Sequence, residues 1–439
     1  MTRINRRKLI SAGAVLAVVS LSVATVPAQA LSTKQTFSSK YETGVNRSEI
    51  KLGMTLPMTG AASPGYNKIP GAMKAYFDYL NDNGGVNGRK ITLKVEDDQY
   101  VPTLAVAKTN KLILRDKVMA LIAPLGTANN KAVAASVNPG RRGVPVLFVN
   151  TGFSGFADAK KYPTTYTILP SYVMEAKIMA EYIKENFAGK TLGLVYQDDD
   201  FGIDALKGFA QAGITFAEKV AYASGSQSAT TAAGWVSKLS AAKCDVVILF
   251  GVSSATAAGL GTAAALKYSP QWILGSVGGD ATTIKAAGVP AGVLYNAVGA
   301  SFAPATTDLT DEYVKLFSEI YAKAVPGSAF DNNVLVGMNS AFVAAQALKA
   351  AGKNPTRKSL LRAIAANGAN FASAALVPLN YSKSSHVGYN GYWFGKYSPT
   401  GDLKPIDGKY VLYTTDSESG AVVKSTWKRP AMPAKGLPE

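Results

Sequence analysis

The sequence predicts an α/β protein built from two doubly wound lobes, each a sheet with helices on both faces. Short apolar runs alternate with amphipathic helical patterns along most of the chain, which is typical of strands connected by crossover helices. These strand–helix units are too many for one open sheet of usual width, and 439 residues are enough for two or three compact units. No low-complexity linker separates two consecutive halves, so we expect the chain to cross between the lobes more than once.

The N-terminus predicts a signal peptide over residues 1–30. Basic residues within 3–8 precede an apolar stretch over 9–26, and Ala28-Gln29-Ala30 supplies a small-x-small cleavage pattern, which favours secretion over a membrane anchor. The arginine pair before the apolar stretch leaves the general secretory and the twin-arginine routes open. Residues 31–47 read as a flexible leader, and the mature protein is expected to be periplasmic or secreted.

The first predicted elements follow directly. Ile50–Leu56 is an apolar run of strand length, and from Ile69 to Leu80 the apolar residues form one helical stripe that ends at Asn83-Gly84-Gly85. A turn then leads into the strand Ile91–Glu96. Further elements of this part are predicted over Met119–Ala123 (strand), Ala128–Val137 (helix) and Val144–Val149 (strand).

The pattern continues through the second half. Tyr172–Phe187 is predicted to be a helix that leads into the strand Thr191–Tyr196. The helix Asn332–Ala351 is nearly apolar all round, so we expect it to be packed on most faces. The remaining predicted strands are Cys244–Phe250, Trp272–Leu274 and the aromatic segment Tyr389–Tyr397.

Composition excludes several function classes. The net charge is +17, but the basic residues are spread singly without an arginine-rich stripe, so we expect no nucleic-acid partner. One cysteine, Cys244, excludes an intrachain disulfide and a multi-thiolate metal site, and one histidine, His386, argues against a Ser-His-Asp hydrolase or a multi-histidine zinc enzyme. No phosphate-binding glycine motif is present. We therefore expect a protein that is not an enzyme and has neither metal nor cofactor.

Ligands of open α/β sheets bind beyond the carboxyl ends of the strands, so the loops that follow strands are the candidate site. Thr127 stands where a helix N-cap belongs, and the free amides of that first turn favour an anion, although simple capping is the alternative. The carboxylates of Asp198-Asp199-Asp200 could hold a cation or simply complement a helix dipole. The other loops of this kind are Pro57–Gly65, Asn150–Ser154, Gly251–Ser254 and Ser276–Asp280.

Taken in order, these pieces resemble the Leu/Ile/Val-binding family of ABC-transporter solute-binding proteins, which are type I periplasmic binding proteins. The resemblance covers about residues 48 to 430. The segments that carry it are Ile50–Gly53 leading into Pro57–Gly60, Gly84–Arg89, Asp97-Asp98 followed by Pro102 and Ala105, Leu125–Thr127, and Asp200–Gly202.

The resemblance implies two αβα lobes joined by three crossings, with the ligand between them. Lobe I is expected over 48–168 plus 298–378, and lobe II over 169–297 plus 379–432. It also implies a monomer that delivers its ligand to the transmembrane subunits of an ABC permease.

The resemblance also implies roles for particular residues. Thr127 and the start of its helix would hold a ligand carboxylate, and the loop from Asn150 would add backbone and hydroxyl contacts. Phe201 matches an aromatic wall, and Val252 or Ser253 a pocket-lining position. The residues expected to contact the ligand are Thr127, Ala128, Asn150, Thr151, Gly152, Phe201, Ser253 and Asp280.

One position departs from the family pattern. Members that bind amino acids place a carboxylate where this chain has Val277, and the nearest acid is Asp280. Either Asp280 or Asp200 pairs with a ligand ammonium, or the ligand has none. The expected ligand is thus a branched-chain amino acid or a related small carboxylate, with amides, urea-like solutes and aromatic acids as alternatives. A ligand-sensing receptor of the same fold is the alternative role.

Overall fold

The computed structural model describes residues 40–295 and 297–439 of the chain. The predicted signal peptide and residues 31–39 of the predicted leader therefore lie outside the described residues. Residues 41–439 form a compact body. Within the described residues, no helix has the length and apolar character needed to cross a membrane.

The first sheet has five parallel strands in the order β2-β1-β3-β4-β5, which is the doubly wound arrangement that the sequence predicts. Side chains alternate between its faces: Ala120 and Ile122 of β3 join the main core, whereas Leu121 packs with the second core cluster. Its strands are β1 (Glu49–Leu56), β2 (Lys90–Asp97), β3 (Ala120–Ile122), β4 (Val146–Val149) and β5 (Thr165–Thr167). The helices between them are α1 (Ile69–Asp82), α2 (Pro102–Leu114) and α3 (Thr127–Ser136).

The second sheet has the strand order β14-β13-β11-β10-β9-β8-β6-β7, with β12 paired to β11. Strands β6 to β10 are parallel, and β11 to β14 add an antiparallel edge. Its strands are β6 (Leu192–Gln197), β7 (Glu218–Tyr222), β8 (Val246–Phe250), β9 (Gln271–Leu274), β10 (Val298–Ser301), β11 (Gly391–Tyr397), β12 (Leu403–Pro405), β13 (Leu412–Thr414) and β14 (Val423–Lys424). The accompanying helices are α4 (Tyr172–Asn186), α5 (Asp200–Gln211), α6 (Ala229–Ala241), α7 (Ser253–Ala265), α8 (Ala281–Ala286) and α9 (Ala291–Tyr295).

Three further helices, α10 (Glu312–Ala324), α11 (Asn332–Ala350) and α12 (Arg357–Asn367), complete the first lobe. Helix α11 packs against α1, α10 and α12, and most of its residues are buried. The prediction of a helix packed on most faces is thus confirmed, and the two αβα lobes match the predicted fold class.

The chain leaves the second lobe later than the sequence suggests. The prediction assigned residues from 298 to lobe I, whereas β10 pairs in parallel with β9 and antiparallel with β11. Strand β10 consists of four apolar or small residues, Val298–Ser301. Such a segment fits any core strand, so its sequence does not indicate which of the two sheets it joins.

A second difference concerns the segment before β11. The prediction assigned residues from 379 to lobe II, but this segment lies along β5 of the first sheet. Thr167 N donates to His386 O at 3.0 Å, and the Tyr381 hydroxyl donates to Thr167 O at 2.5 Å. The hinge strand that reaches the second sheet therefore begins near residue 389.

The end of the chain returns to the first lobe. Beyond β14, the Arg429 guanidinium pairs with Asp311 and lies over the Tyr313 ring. The Tyr76 hydroxyl of α1 donates to Gly436 O at 2.8 Å. The prediction had kept residues up to 432 in lobe II; residues 425–439 instead form a C-terminal strap that adds a crossing.

Candidate functional site

The carboxyl ends of strands from both sheets face one another across a closed cleft. Two polar contacts bridge the lobes near α5. Ser154 donates to the Asp204 carboxylate through its backbone N (2.6 Å) and through Oγ (2.8 Å), and Lys131 of α3 pairs with Asp200. These contacts place the predicted loops of both lobes on opposite walls of the cleft.

Thr127 and Thr151 lie together on the first-lobe wall. Their hydroxyl oxygens are 2.7 Å apart, and Thr151 Oγ1 is 3.4 Å from the Tyr172 hydroxyl. Thr127 is only 1% exposed. It is the first residue of α3 rather than the N-cap, which is Gly126 at φ 106° with no capping side chain. The first turn of α3 therefore keeps its amides free of side-chain caps, and the Thr127 hydroxyl is directed to Thr151 instead.

The other predicted first-lobe residues act through their backbone. Asn150 donates its N–H to Pro124 O at 2.9 Å and accepts from Gly126 N at 3.3 Å, which fixes the loop before α3. Gly152 O accepts from Tyr172 N at 2.7 Å, and a side chain at Gly152 would come within 2.7 Å of the Tyr172 ring. Asn150 and Gly152 thus set the shape of this wall. Ala128 is half-buried in the first turn of α3.

Phe201 is buried beneath the second-lobe wall. Its ring centroid lies 4.4 Å from that of Tyr172 and 5.1 Å from that of Phe250. The ring therefore supports Tyr172, which itself carries a hydroxyl towards Thr151.

Ser253 begins α7 beside the loop after β9. Ser253 Oγ donates to Val277 O at 3.4 Å, and the same carbonyl accepts from the Tyr66 hydroxyl of the first lobe at 3.0 Å. At the position where the family pattern has a carboxylate, this chain therefore offers a main-chain carbonyl that joins the two lobes.

Asp280 is the N-cap of α8 and is 3% exposed. Its Oδ2 accepts from Thr283 N at 2.9 Å and from the Thr283 hydroxyl. Burial and the nearby Asp331 carboxylate raise the pKa of Asp280. Asp280 forms no ion pair with any described residue, and a cavity of about 50 Å³ opens beside it towards the hinge.

Tyrosines that sequence reasoning missed fill the centre of the cleft. The Gln197 amide joins two of them: its Nε2 donates to the Tyr100 hydroxyl at 3.5 Å, and its Oε1 accepts from Tyr222 at 3.3 Å. Tyr66 instead donates to Val277 O. Burial raises the pKa of the Tyr66, Tyr100 and Tyr222 hydroxyls above 10.0, so all three stay neutral donors. Tyr66 lies one residue beyond the predicted loop Pro57–Gly65, Tyr100 lies three residues after β2, and Tyr222 ends β7, a strand that the sequence analysis does not predict.

Tyr100 is held in a conformation that side chains rarely adopt. Gln99 and Tyr100 both have positive φ, 54° and 63°. This places the Tyr100 ring against Gly126, where an added Cβ would lie 2.8 Å from the ring. Backbone strain of this kind persists where the surroundings fix it, and here it sets a ring beside the start of α3.

Glu175 supports the second-lobe wall from below. Its carboxylate accepts from Ser276 N at 2.6 Å, from Ser276 Oγ at 3.0 Å and from the Tyr392 hydroxyl at 3.1 Å. Burial raises the pKa of Glu175 to about 7. Glu175 therefore positions the loop that carries Val277 and Asp280.

Cys244 and His386, the side chains most suited to metal binding or nucleophilic chemistry, lie outside the cleft. Among the described residues, no group of three or more His, Cys, Asp or Glu side chains is arranged to hold a metal ion. Cys244 is buried before β8, and His386 stacks on Tyr166 with ring centroids 3.9 Å apart, outside the cleft.

Solved structures with the same fold include proteins of ABC transporters. A branched-chain amino acid ABC transporter protein from Thermus thermophilus with bound valine superposes with a TM-score of 0.73 at 19% identity, covering 85% of this chain and 98% of that one. A fatty acid ABC transporter substrate-binding protein from Thermomonospora curvata gives 0.71 at 21% identity, covering 89% and 97%.

Curated relatives match shorter stretches. An amino acid binding protein of Pseudomonas aeruginosa is 27% identical over 163 residues, which is 35% of this chain and 40% of that protein. The Leu/Ile/Val-binding protein BraC3 of Rhizobium johnstonii is 24% identical over 168 residues, 38% of this chain and 45% of that protein. The chain thus matches less than half the length of these two relatives. Residues 49–402 match the family described as periplasmic binding protein, and the chain belongs to that family.

Proposed function

We propose that this protein is the extracytoplasmic solute receptor of an ABC importer and that it closes on a small α-amino acid, a branched-chain one first. The observation that carries the proposal is the opposite polarity of the two cleft walls. The first lobe offers hydroxyls and uncapped amides, and the second lobe offers carboxylates and a carbonyl.

The first-lobe wall suits a carboxylate. The positive end of the α3 dipole and its first-turn amides face the cleft beside Thr127 and Thr151. A ligand carboxylate there gains charge-assisted hydrogen bonds in a site that is shielded from water. Thr127, Ala128 and the Asn150–Gly152 loop form this end of the proposed site.

The second-lobe wall suits an ammonium. Asp200 already pairs with Lys131, so its charge is compensated. Asp280 forms no direct ion pair among the described residues, since the nearby Lys68 ammonium pairs with Asp331 and acts on Asp280 only from a distance, and its hydrogen bonds from Thr283 all go to Oδ2. We therefore choose Asp280 over Asp200 as the partner of the ligand ammonium, with Ser253 and the Val277 carbonyl beside it.

Binding between the walls would favour the closed form. A ligand that contacts both lobes shifts a hinge equilibrium towards closure by its differential affinity for the two forms. The permease subunits would then recognise the closed shape of the receptor.

The test is calorimetric titration of the mature protein with leucine, isoleucine and valine, and with the matching 2-oxo acids and amides. The proposal expects the amino acids to bind best, and expects Asp280→Asn to raise their Kd about a hundredfold, since a buried ion pair loses one partner. Asp200→Asn is the matched control and should change the Kd far less.

Other outcomes are equally informative. If the 2-oxo acids bind as tightly as the amino acids, and Asp280→Asn leaves both unchanged, the site takes carboxylates without an amine. If none of the panel binds, the proposed ligand class is wrong.

A further inference from the structure

A basic groove lies at the far end of the first lobe from the cleft. It is bordered by residues that precede β4 and β5, whereas the cleft lies beyond the carboxyl ends of these strands. The groove has a volume of about 700 Å³. Its cationic lining residues are Arg142, Arg357, Lys358, Arg362 and Lys383, and its acidic lining residue is Glu42.

The guanidinium groups of Arg357 and Arg142 are held in place by hydrogen bonds to backbone carbonyls. Arg357 donates through Nε to Met119 O and through Nη2 to Val118 O, both at 2.9 Å. Arg142 donates through Nε to Val137 O at 2.9 Å. Neither forms an ion pair with a described residue, so donors fixed in position remain available to an anion.

Helix α12 carries charges where they are unfavourable. Arg357 and Lys358 stand in its first turn, which is the positive end of the helix dipole, and Lys358 and Arg362 are like charges at positions i and i+4. No acid occurs between 357 and 367, and the carboxylate at this helix end is that of Glu42, which accepts from Arg357 N at 3.2 Å and acts on the Arg357 charge. Arg357 has its carbonyl partners, but Lys358 and Arg362 are exposed and unpaired among the described residues. An anion in the groove would compensate these charges.

The opposite bank and the floor complete the groove. Lys383 is exposed at the tip of a serine-rich loop, in which Ser382 Oγ accepts from Ser385 N at 3.0 Å. The stacked rings of Tyr166 and His386 line the floor. Glu42 is already engaged by the backbone N–H groups of Thr43 and Arg357. Cations on two banks with a ring floor fit a compact organic or inorganic anion.

We propose that this groove binds a phosphate-bearing anion with at least two charged groups. Two anchored guanidinium groups suit bidentate recognition of phosphate oxygens, and the exposed Lys358, Arg362 and Lys383 side chains would close around them. The site is separate from the cleft and is independent of the amino-acid ligand.

The test is titration of the mature protein with inorganic tripolyphosphate near physiological ionic strength. We expect saturable binding, and we expect Lys358→Ala/Arg362→Ala to raise the Kd at least about tenfold. The matched control Lys238→Ala/Lys315→Ala removes two exposed helical cations away from the groove and should leave the Kd unchanged. Lys383→Glu, at a loop tip, tests the opposite bank without touching α12 and should weaken binding similarly.

A second readout separates a binding site from a structural one. Without anion, the α12 double variant should melt slightly higher than the wild type, because like-charge repulsion and the unfavourable dipole interaction are relieved. With tripolyphosphate, the wild type should be stabilised and the variant should not. Equal affinity for the wild type and the groove variants, an equal loss in the control, or no saturable binding would overturn the proposal.

The phosphate could belong to a free polyanion or to a lipid headgroup, and two parallel binding experiments distinguish them. Binding of tripolyphosphate but not of phosphatidylglycerol vesicles indicates a free polyanion. Groove-dependent binding to the vesicles at the same ionic strength indicates a lipid headgroup.

Discussion

The two walls of the cleft use different chemistry for the same purpose. On the first lobe, Ser154, Lys131 and Tyr66 donate; on the second, Asp204, Asp200 and the Val277 carbonyl accept. Two contacts among the described residues run in the opposite direction: Gln197 donates to the Tyr100 hydroxyl, and Tyr172 N donates to Gly152 O.

This asymmetry teaches how closure and ligand orientation are coupled. Because these donors face acceptors, the three first-lobe groups find their partners together when Ser154 meets Asp204. The same polarity orients a zwitterion, with its carboxylate towards α3 and its ammonium towards Asp280. Four substitutions probe this asymmetry, and the expected change in free energy decreases from each to the next.

The first prediction concerns Glu175. This buried carboxylate of the second lobe has hydrogen-bond donors around it but no cation among the described residues. Its pKa of about 7 exceeds the ordinary value of 4.5, so between these values the folded chain holds a proton that the unfolded chain has lost. The free energy of unfolding should fall by up to about 3 kcal/mol as pH rises through this window and level off above it. Glu175→Gln should flatten this dependence in urea titrations at pH 5, 6, 7 and 8; an unaltered slope would show that other groups set it.

The second removes the main acceptor of closure. Asp204 is buried and Ser154 is half-buried, so Asp204→Ala removes two hydrogen bonds to a charged acceptor, at a cost of about 2 kcal/mol. Ligand affinity should fall about thirtyfold, because the lost contacts exist only between closed lobes. The measurement is a titration with the ligand that the wild type binds, and Asp198→Ala, at a neighbouring exposed acid, is the control. An equal effect of both substitutions would contradict the role of Asp204.

The third tests the first-lobe hydroxyl pair. Thr127→Val keeps the shape but removes the hydroxyl 2.7 Å from Thr151, so the Kd of a carboxylate ligand should rise about tenfold. Thr127→Ser retains the hydroxyl and should restore most of the affinity. A Kd that is the same for Val and Ser would remove Thr127 from the proposed site.

The smallest effect is expected at Lys131. Its pair with Asp200 is partly exposed on both sides, at 36% and 33%, so Lys131→Ala should change the ligand affinity by less than about 0.5 kcal/mol. The effect should shrink further in 1 M salt. A loss as large as that of Asp204→Ala would mean that the ion pair and not the buried hydrogen bonds controls closure.

The strands and helices of the sheets could be predicted from the sequence because their apolar patterns are long and periodic. Strand β1 and helix α11 are examples, and the loop rule correctly brought Thr127 and Thr151 to one place. Asp204 could not be found in this way, since it lies inside α5, where an acid normally indicates a solvated helix face. Tyr66 and Tyr100 were missed because a tyrosine beside a strand is usually a core residue.

The positions at which the chain crosses between the lobes could not be predicted, because they depend on contacts between residues that are distant in sequence. Strand β10 is four residues long, and nothing within it distinguishes the two sheets. The return of the last residues to α1 depends on hydrogen bonds to the backbone carbonyls of Lys435 and Gly436, which any sequence could offer.

The C-terminal strap places residues 41 and 436 on the same lobe. Residues near Tyr41 lie on the first lobe, where the Arg89 guanidinium stands 5.6 Å from the Tyr41 ring, and the strap brings residue 436 to the same lobe. The second lobe is thus, in topology, an insertion whose every connection runs through the first. A pulling force applied at residues 41 and 436 would load the first lobe alone and leave the second free to swing, so immobilising the protein by either segment should leave ligand-driven closure intact.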